Sequence, residues 1–121
     1  MPITVYKIFH LTGMVMVFLS LGALAVHGAV RDERTGAWRK PALMTHGIGL
    51  LLVLVGGFGA LARLGISWPW PGWIFAKIAI WLFFGAAATL VMRKPAMAKG
   101  LWWLFVLIFA AAAWLALYKP F

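Results

Sequence analysis

Four long apolar runs, separated by short basic or proline-containing segments, decide what this chain can fold into. Each run is close to the roughly 20 residues that an α-helix needs to cross the hydrocarbon core of a bilayer. Because backbone groups in lipid must bond within their own segment, such runs predict helices. The predicted helices cover residues 5–28, 42–62, 73–92 and 101–118.

The short connections between the runs predict how the helices are arranged. Consecutive helices joined by short loops pack as antiparallel neighbours. The composition, 65% hydrophobic residues, is more apolar than a soluble domain of this size needs. We therefore predict an all-α fold, an integral membrane four-helix bundle with up-down topology, as a single transmembrane domain over residues 1–121.

The charged residues predict how the bundle is oriented. The formal net charge is +9, and the basic residues flank the apolar runs, where they meet lipid headgroups rather than nucleic acid. Segments 29–41 and 93–100 together hold seven Lys and Arg residues, against Lys7, Arg63 and Lys119 on the other side. The positive-inside rule then places both segments in the cytoplasm and both termini in the periplasm of a bacterial inner membrane.

Two absences exclude several kinds of chemistry. The chain has no cysteine, which excludes thiolate metal sites, iron–sulfur clusters and cysteine nucleophiles. Its only acids, Asp32 and Glu33, are adjacent and fall between predicted helices, so no predicted span contains a carboxylate. This argues against dicarboxylate acid–base chemistry and against a proton or cation carrier.

The ionisable residues within or beside the predicted helices are functional candidates, because polar groups at membrane depth are costly. They are Lys7, His10, His27, His46, Arg63 and Lys77. His10 and Lys77 should lie at similar depth, since the first and third helices both begin on the same side. Without an acid nearby, a neutral imidazole suits a metal, and a basic pair suits an anionic ligand such as a propionate, a quinol oxygen or a lipid headgroup.

Two helix faces would frame a pocket around this pair. One face carries Tyr6, His10, Gly13 and Val17 on the first helix, and the other carries Trp73, Lys77 and Trp81 on the third. If the faces meet, they combine an imidazole, an amine and two indole walls. Gly13 would leave space beside the imidazole, and Arg63 ends the second helix nearby.

Histidines 27 and 46 form an alternative pair of metal ligands. A hairpin of the first two helices would bring His27 and His46 to similar depth, where two imidazoles can hold a haem iron. Both also lie near the interface, where water easily solvates an imidazole. His10 is roughly 26 Å from His27 along one helix, so these two cannot share a site.

A non-catalytic interpretation stays open beside the ligand-binding one. In it His10 only donates a hydrogen bond to a backbone carbonyl or water, and Lys77 extends to the interface. The small-residue helix faces and eight Trp would then serve a structural or accessory subunit of a larger membrane complex or homo-oligomer. No catalytic residue is identified.

The segments YKIFHLTG, HGIGLLLVLVGGFG and WPGWIFAKIAIWL resemble the small four-helix membrane proteins around HemJ, a haem-dependent protoporphyrinogen oxidase, and the CopD-like domains. The resemblance implies haem b as cofactor, with His10 as an axial ligand and Lys77 as a second ligand or anion partner. Trp73 and Trp81 would wall the site, and Arg63 would pair with a propionate. Since the chain is short and has little polar loop, the resemblance supports haem binding more than porphyrinogen oxidation.

Overall fold

A computed structural model describes residues 2–30, 36–66 and 68–118. The helices are α1 (Ile3–Val30), α2 (Arg39–Arg63), α3 (Gly72–Arg93) and α4 (Ala98–Tyr118), with one 3₁₀ turn at Pro95–Met97. No strand occurs within the described ranges. The all-α four-helix prediction is confirmed. Arg31, Asp32, Glu33, Arg34 and Lys119, which entered the charge arguments, lie outside the described residues.

All four helices are long and apolar enough to cross a membrane, so the chain is a multi-pass membrane protein in a lipid bilayer. The predicted ends differ from the observed ones by at most three residues. The start of α2 was predicted too late, because Pro41 fits in a first helical turn, where its missing N–H has no partner to lose. The same helix ends before Gly65, whose φ of 76° is a conformation that favours glycine.

The closest helix contact joins α1 to α2 through glycines. We call Gly13, Gly49, Gly56 and Gly59 the glycine seam. A Cβ added to Gly13 would lie 2.6 Å from the carbonyl oxygen of Gly49, and one added to Gly56 would lie 2.6 Å from that of Tyr6. The two backbones therefore touch, which small residues permit in lipid, where helices gain little from burying apolar side chains.

A second close approach joins α1 to α3 at the other end of the bundle. A Cβ on Gly28 would lie 3.2 Å from the Cα of Met92. We call the end where α1 and α3 begin the N-terminal end, and the end containing Gly28 the opposite end. Thus α1 lies against α2 and α3 at different depths.

The packed core occupies the middle of the bundle and its opposite end. Its buried members are Val17, Leu21, Leu24, Ala25, Ala42, Phe84, Ala87, Ala88, Val91, Leu101 and Phe105. Toward the N-terminal end a separate, smaller cluster of Trp73, Ile74 and Leu115 joins α3 to α4. Ile80 of α3 packs against both clusters and connects them.

Gly56→Ala should destabilise the bundle by about 1–3 kcal/mol, because the new methyl group overpacks a backbone contact. Gly47→Ala is the matched control in the same helix, since nothing lies within 4 Å of its Cβ position. Unfolding in detergent, followed by circular dichroism, measures both. Equal stability of the two variants would contradict backbone contact along the seam.

Candidate functional site

A cavity of about 610 Å³ lies in the N-terminal half of the bundle and is lined by all four helices. Its volume falls within the range of ordinary small-molecule pockets. Phe18, Phe84 and Phe109 form its floor, with ring centroids 4.9 Å apart for Phe18–Phe84 and 5.3 Å for Phe18–Phe109. Both buried clusters contribute to its lining, the first through Val17 and Phe84 and the second through Trp73 and Ile74.

The charged lining of this cavity is basic. Among its described lining residues, the titratable side chains are Lys7, His10 and Lys77, while Trp73 and Trp81 contribute indole rings. The other lining residues are apolar, and none is acidic. An apolar cavity with basic groups and no counter-charge is suited to a ligand that is largely apolar and carries an anionic or electron-donating group.

His10 is fixed in one tautomer by a contact across the glycine seam. Its Nδ1 lies 2.9 Å from the carbonyl oxygen of Val53 on α2. Because a carbonyl oxygen only accepts, Nδ1 carries the hydrogen, and the lone pair of the neutral ring is on Nε2. Nδ1 faces α2, and His10 is one of the residues that line the cavity. Such an orienting bond is typical of histidines that bind metals.

Four of the predicted site residues come together in this cavity. His10, Trp73, Lys77 and Trp81 all line it. The prediction that the first and third helices bring these side chains to a similar depth agrees with their position in one cavity.

The other two predicted members, Tyr6 and Arg63, do not line the cavity. The ring of Tyr6 lies against Gly59 within the glycine seam. Arg63 is exposed at the end of α2. The face of α1 that carries Gly13 meets α2 rather than α3, and the backbone of Gly49 fills the space expected beside the imidazole.

The structure separates His27 from His46. Gly49 lies against Met16 and Val17 of α1, and this register places His46 opposite α1 about 12 Å along the axis from His27. His46 is buried and its Nε2 donates a 2.9 Å hydrogen bond to the carbonyl oxygen of Phe84. The prediction that a hairpin brings the two imidazoles to one depth is wrong, because the α1–α2 register is offset.

Ring N–H groups also join α3 to α2. Trp81 donates through Nε1 to the carbonyl oxygen of Leu50, 3.0 Å away, which joins α3 to α2. The bond from His46 to Phe84 joins the same two helices in the other direction. With the bond from His10 to Val53, these contacts give α2 polar links to both neighbours.

Sequence reasoning named Lys7 as a candidate without placing it in the pocket, and it missed the aromatic floor. Lys7 is exposed yet lines the cavity at its N-terminal rim. Its spacing of three residues from His10 was the available signal, since side chains at i and i+3 share a helix face. The floor had no comparable signal, because phenylalanines are common throughout apolar helices.

No family model, curated protein or solved structure matches the chain. What the site can do therefore follows from its own geometry and chemistry.

Trp81→Phe should lower the stability of the bundle by about 0.6 kcal/mol from the lost interhelical hydrogen bond, with a further loss from the smaller ring. Trp103→Phe is the control, because Trp103 is 68% exposed on the outside of the bundle. Thermal unfolding in detergent measures both variants. If the two lose equal stability, the bond from Trp81 to Leu50 contributes nothing.

Proposed function

We propose that this protein binds haem b, or another flat redox ligand with anionic groups, in the cavity between its helices, as the resemblance to HemJ/CopD-like proteins implies. The observation that supports this most directly is the orientation of His10. Its Nδ1–H is bonded to the carbonyl oxygen of Val53, which leaves Nε2 as the unprotonated nitrogen, and His10 lines the cavity together with Lys77. In this proposal Nε2 is the atom that the ring offers to a ligand.

The set of donor groups favours a cofactor over a bare metal ion. Within the described residues, no group of three or more His, Cys, Asp and Glu side chains is arranged to hold a metal. A bare ion in a structural or catalytic site needs at least three protein ligands. One imidazole with one amine fits an iron whose other ligands come from a macrocycle. The chain's donors therefore fit haem.

The basic and indole side chains of the lining each have a role in this proposal. His10 would bind the iron through Nε2, and Lys77 would be a second ligand or would pair with a propionate. Trp73 and Trp81 flank the macrocycle, and Lys7 at the rim is placed to pair with a propionate near the headgroups. When bound, haem supplies one-electron chemistry, while the residues of the chain hold it, orient it and keep water away.

The described basic residues support a cytoplasmic opposite end in a bacterial inner membrane. Arg39, Lys40, Arg93, Lys94 and Lys99 are exposed at that end. The N-terminal end has Lys7 and Arg63. An excess of basic residues on one side is typical of cytoplasmic loops, so the N-terminal end would face the periplasm.

One observation favours a second candidate function. The bond from His10 to Val53 is the interhelical bond expected of a structural or accessory subunit, in which the histidine only stabilises packing. That candidate predicts a colourless protein. It also predicts that another side chain at position 10 can replace His10 fully if it has an N–H that donates to Val53.

Absorption spectra of protein purified from haem-sufficient cells test the proposal. The unsubstituted protein should show a Soret band, and His10→Gln should lose it, because an amide can donate to Val53 but is a poor iron ligand. His46→Ala is the control, since His46 lies outside the cavity lining and bonds to Phe84. It should keep the band in the folded fraction recovered by gel filtration.

Haem ligation by His10 would be contradicted by a colourless unsubstituted protein. It would also be contradicted if the unsubstituted protein has a Soret band and His10→Gln gives the same spectrum. The first result would support the accessory-subunit alternative.

A further inference from the structure

The cavity has residues in its wall that are also exposed on the outside of the bundle. Leu11 of α1 is 61% exposed and Leu117 of α4 is 81% exposed, yet both line the cavity. The cavity is partly open to the outside, and lining side chains that are also exposed border its opening. Leu11 and Leu117 border the opening on α1 and α4, while Lys7 and Leu64, which are also exposed, border it at the N-terminal end.

The register of α1 and α4 places Leu11 and Leu117 at one gap, which is part of the opening. Phe18 packs on Phe109, and Gly22 lies beside Trp102, so the two antiparallel helices are aligned along their length. Continuing that alignment toward the N-terminal end sets Leu11 opposite roughly residue 115. The gap thus lies between α1 and α4, above the aromatic floor and within an apolar span, and it opens sideways into lipid. We call it the lateral gap.

Aromatic rings cover the cavity on the side of the α2–α3 connection. Trp68 and Trp70 lie with ring centroids 5.3 Å apart, and Trp70 contacts Phe58, a lining residue, also at 5.3 Å. Phe75 packs on both indoles. These rings narrow the N-terminal end of the opening, where Leu64 lines the cavity and is 51% exposed, and the apolar lateral gap is the part of the opening that faces lipid.

The charges around the cavity indicate what such a molecule carries. Lys77 lies within the cavity and Lys7 at its N-terminal rim, with no acid among the lining residues. A carboxylate there gains charge-assisted hydrogen bonds and compensates buried positive charge. The remaining wall is apolar, so the body of the ligand is apolar as well.

We propose that the cavity takes its ligand sideways from the bilayer through the lateral gap, and that this ligand is a membrane-dissolved amphiphile whose carboxylate is held by Lys77 and Lys7. This deepens the proposed function and rests on the same ligand site. Haem propionates are one source of the carboxylate, and a long-chain fatty acid is the other.

Bulky substitutions in the lateral gap test the route. Leu11→Trp and Leu117→Trp narrow it from either side. Leu19→Trp and Leu107→Trp are matched controls on the same two helices, because Leu19 and Leu107 are 69% and 67% exposed but do not line the cavity. The proteins are reconstituted in phosphatidylcholine vesicles and compared with the unsubstituted chain.

The first probe is haemin, followed by the rate of its absorption change after mixing with the vesicles. Loading should slow several-fold in Leu11→Trp and Leu117→Trp, with an unchanged final spectrum, and stay unchanged in both controls. The second probe is photoactivatable palmitic acid, with mass spectrometry of the labelled residues. Labelling of cavity residues after brief incubation should fall several-fold in the same two variants.

The outcomes separate this inference from the proposed function. Equal haemin loading rates in all five proteins would overturn the lateral route and leave the haem site standing. Palmitate labelling that depends on the gap, without haemin binding, would reject haem and support the route. If neither probe is captured, or if the methyl ester of the fatty acid labels the cavity as well as the acid does, the carboxylate amphiphile is wrong.

Discussion

Backbone contact between α1 and α2 along the glycine seam is the interaction on which the rest of the structure depends. In lipid, where burying apolar side chains gains little, close backbone packing is one of the few strong sources of helix association. The seam brings Nδ1 of His10 within 2.9 Å of the Val53 carbonyl oxygen. It also sets the offset that separates His27 from His46. The remaining space, between this tight pair and α3 with α4, is where the cavity forms.

Some polar groups of the bundle form hydrogen bonds between helices, and others line the cavity. His46 and Trp81 donate their ring N–H groups to carbonyl oxygens of neighbouring helices. His10 does so through Nδ1 and also lines the cavity, as does Lys77. Because ionisable groups inside a membrane are expensive to keep without a role, this pair is the part of the molecule most suited to a ligand.

The sequence predicted the four helices and the shared cavity of His10 and Lys77, because span length and depth follow directly from apolar runs. It did not predict which neighbouring helix each residue of a face would contact. Tyr6 and Gly13 share a helix face with His10, but both pack against α2. The glycines at 49, 56 and 59 allow that face of α1 to approach the backbone of α2 closely. The position of Arg63 outside the lining likewise depends on packing that spacing along the chain does not encode. The pairing of His27 with His46 is wrong because it assumed that residues near the two helix ends of a hairpin lie at the same depth, whereas the α1–α2 register is offset.

The most direct test of the account is the protonation of each nitrogen of His10 in lipid. Nitrogen-15 NMR of histidine-labelled protein in bilayers, with the His10→Gln variant to assign the signal, distinguishes a protonated from an unprotonated ring nitrogen. The account predicts hydrogen on Nδ1 and a lone pair on Nε2, with the Nε2 signal alone changing strongly when haemin is added. Hydrogen on Nε2, or an Nε2 signal that haemin leaves unchanged, would contradict the claim that His10 offers this atom to a ligand.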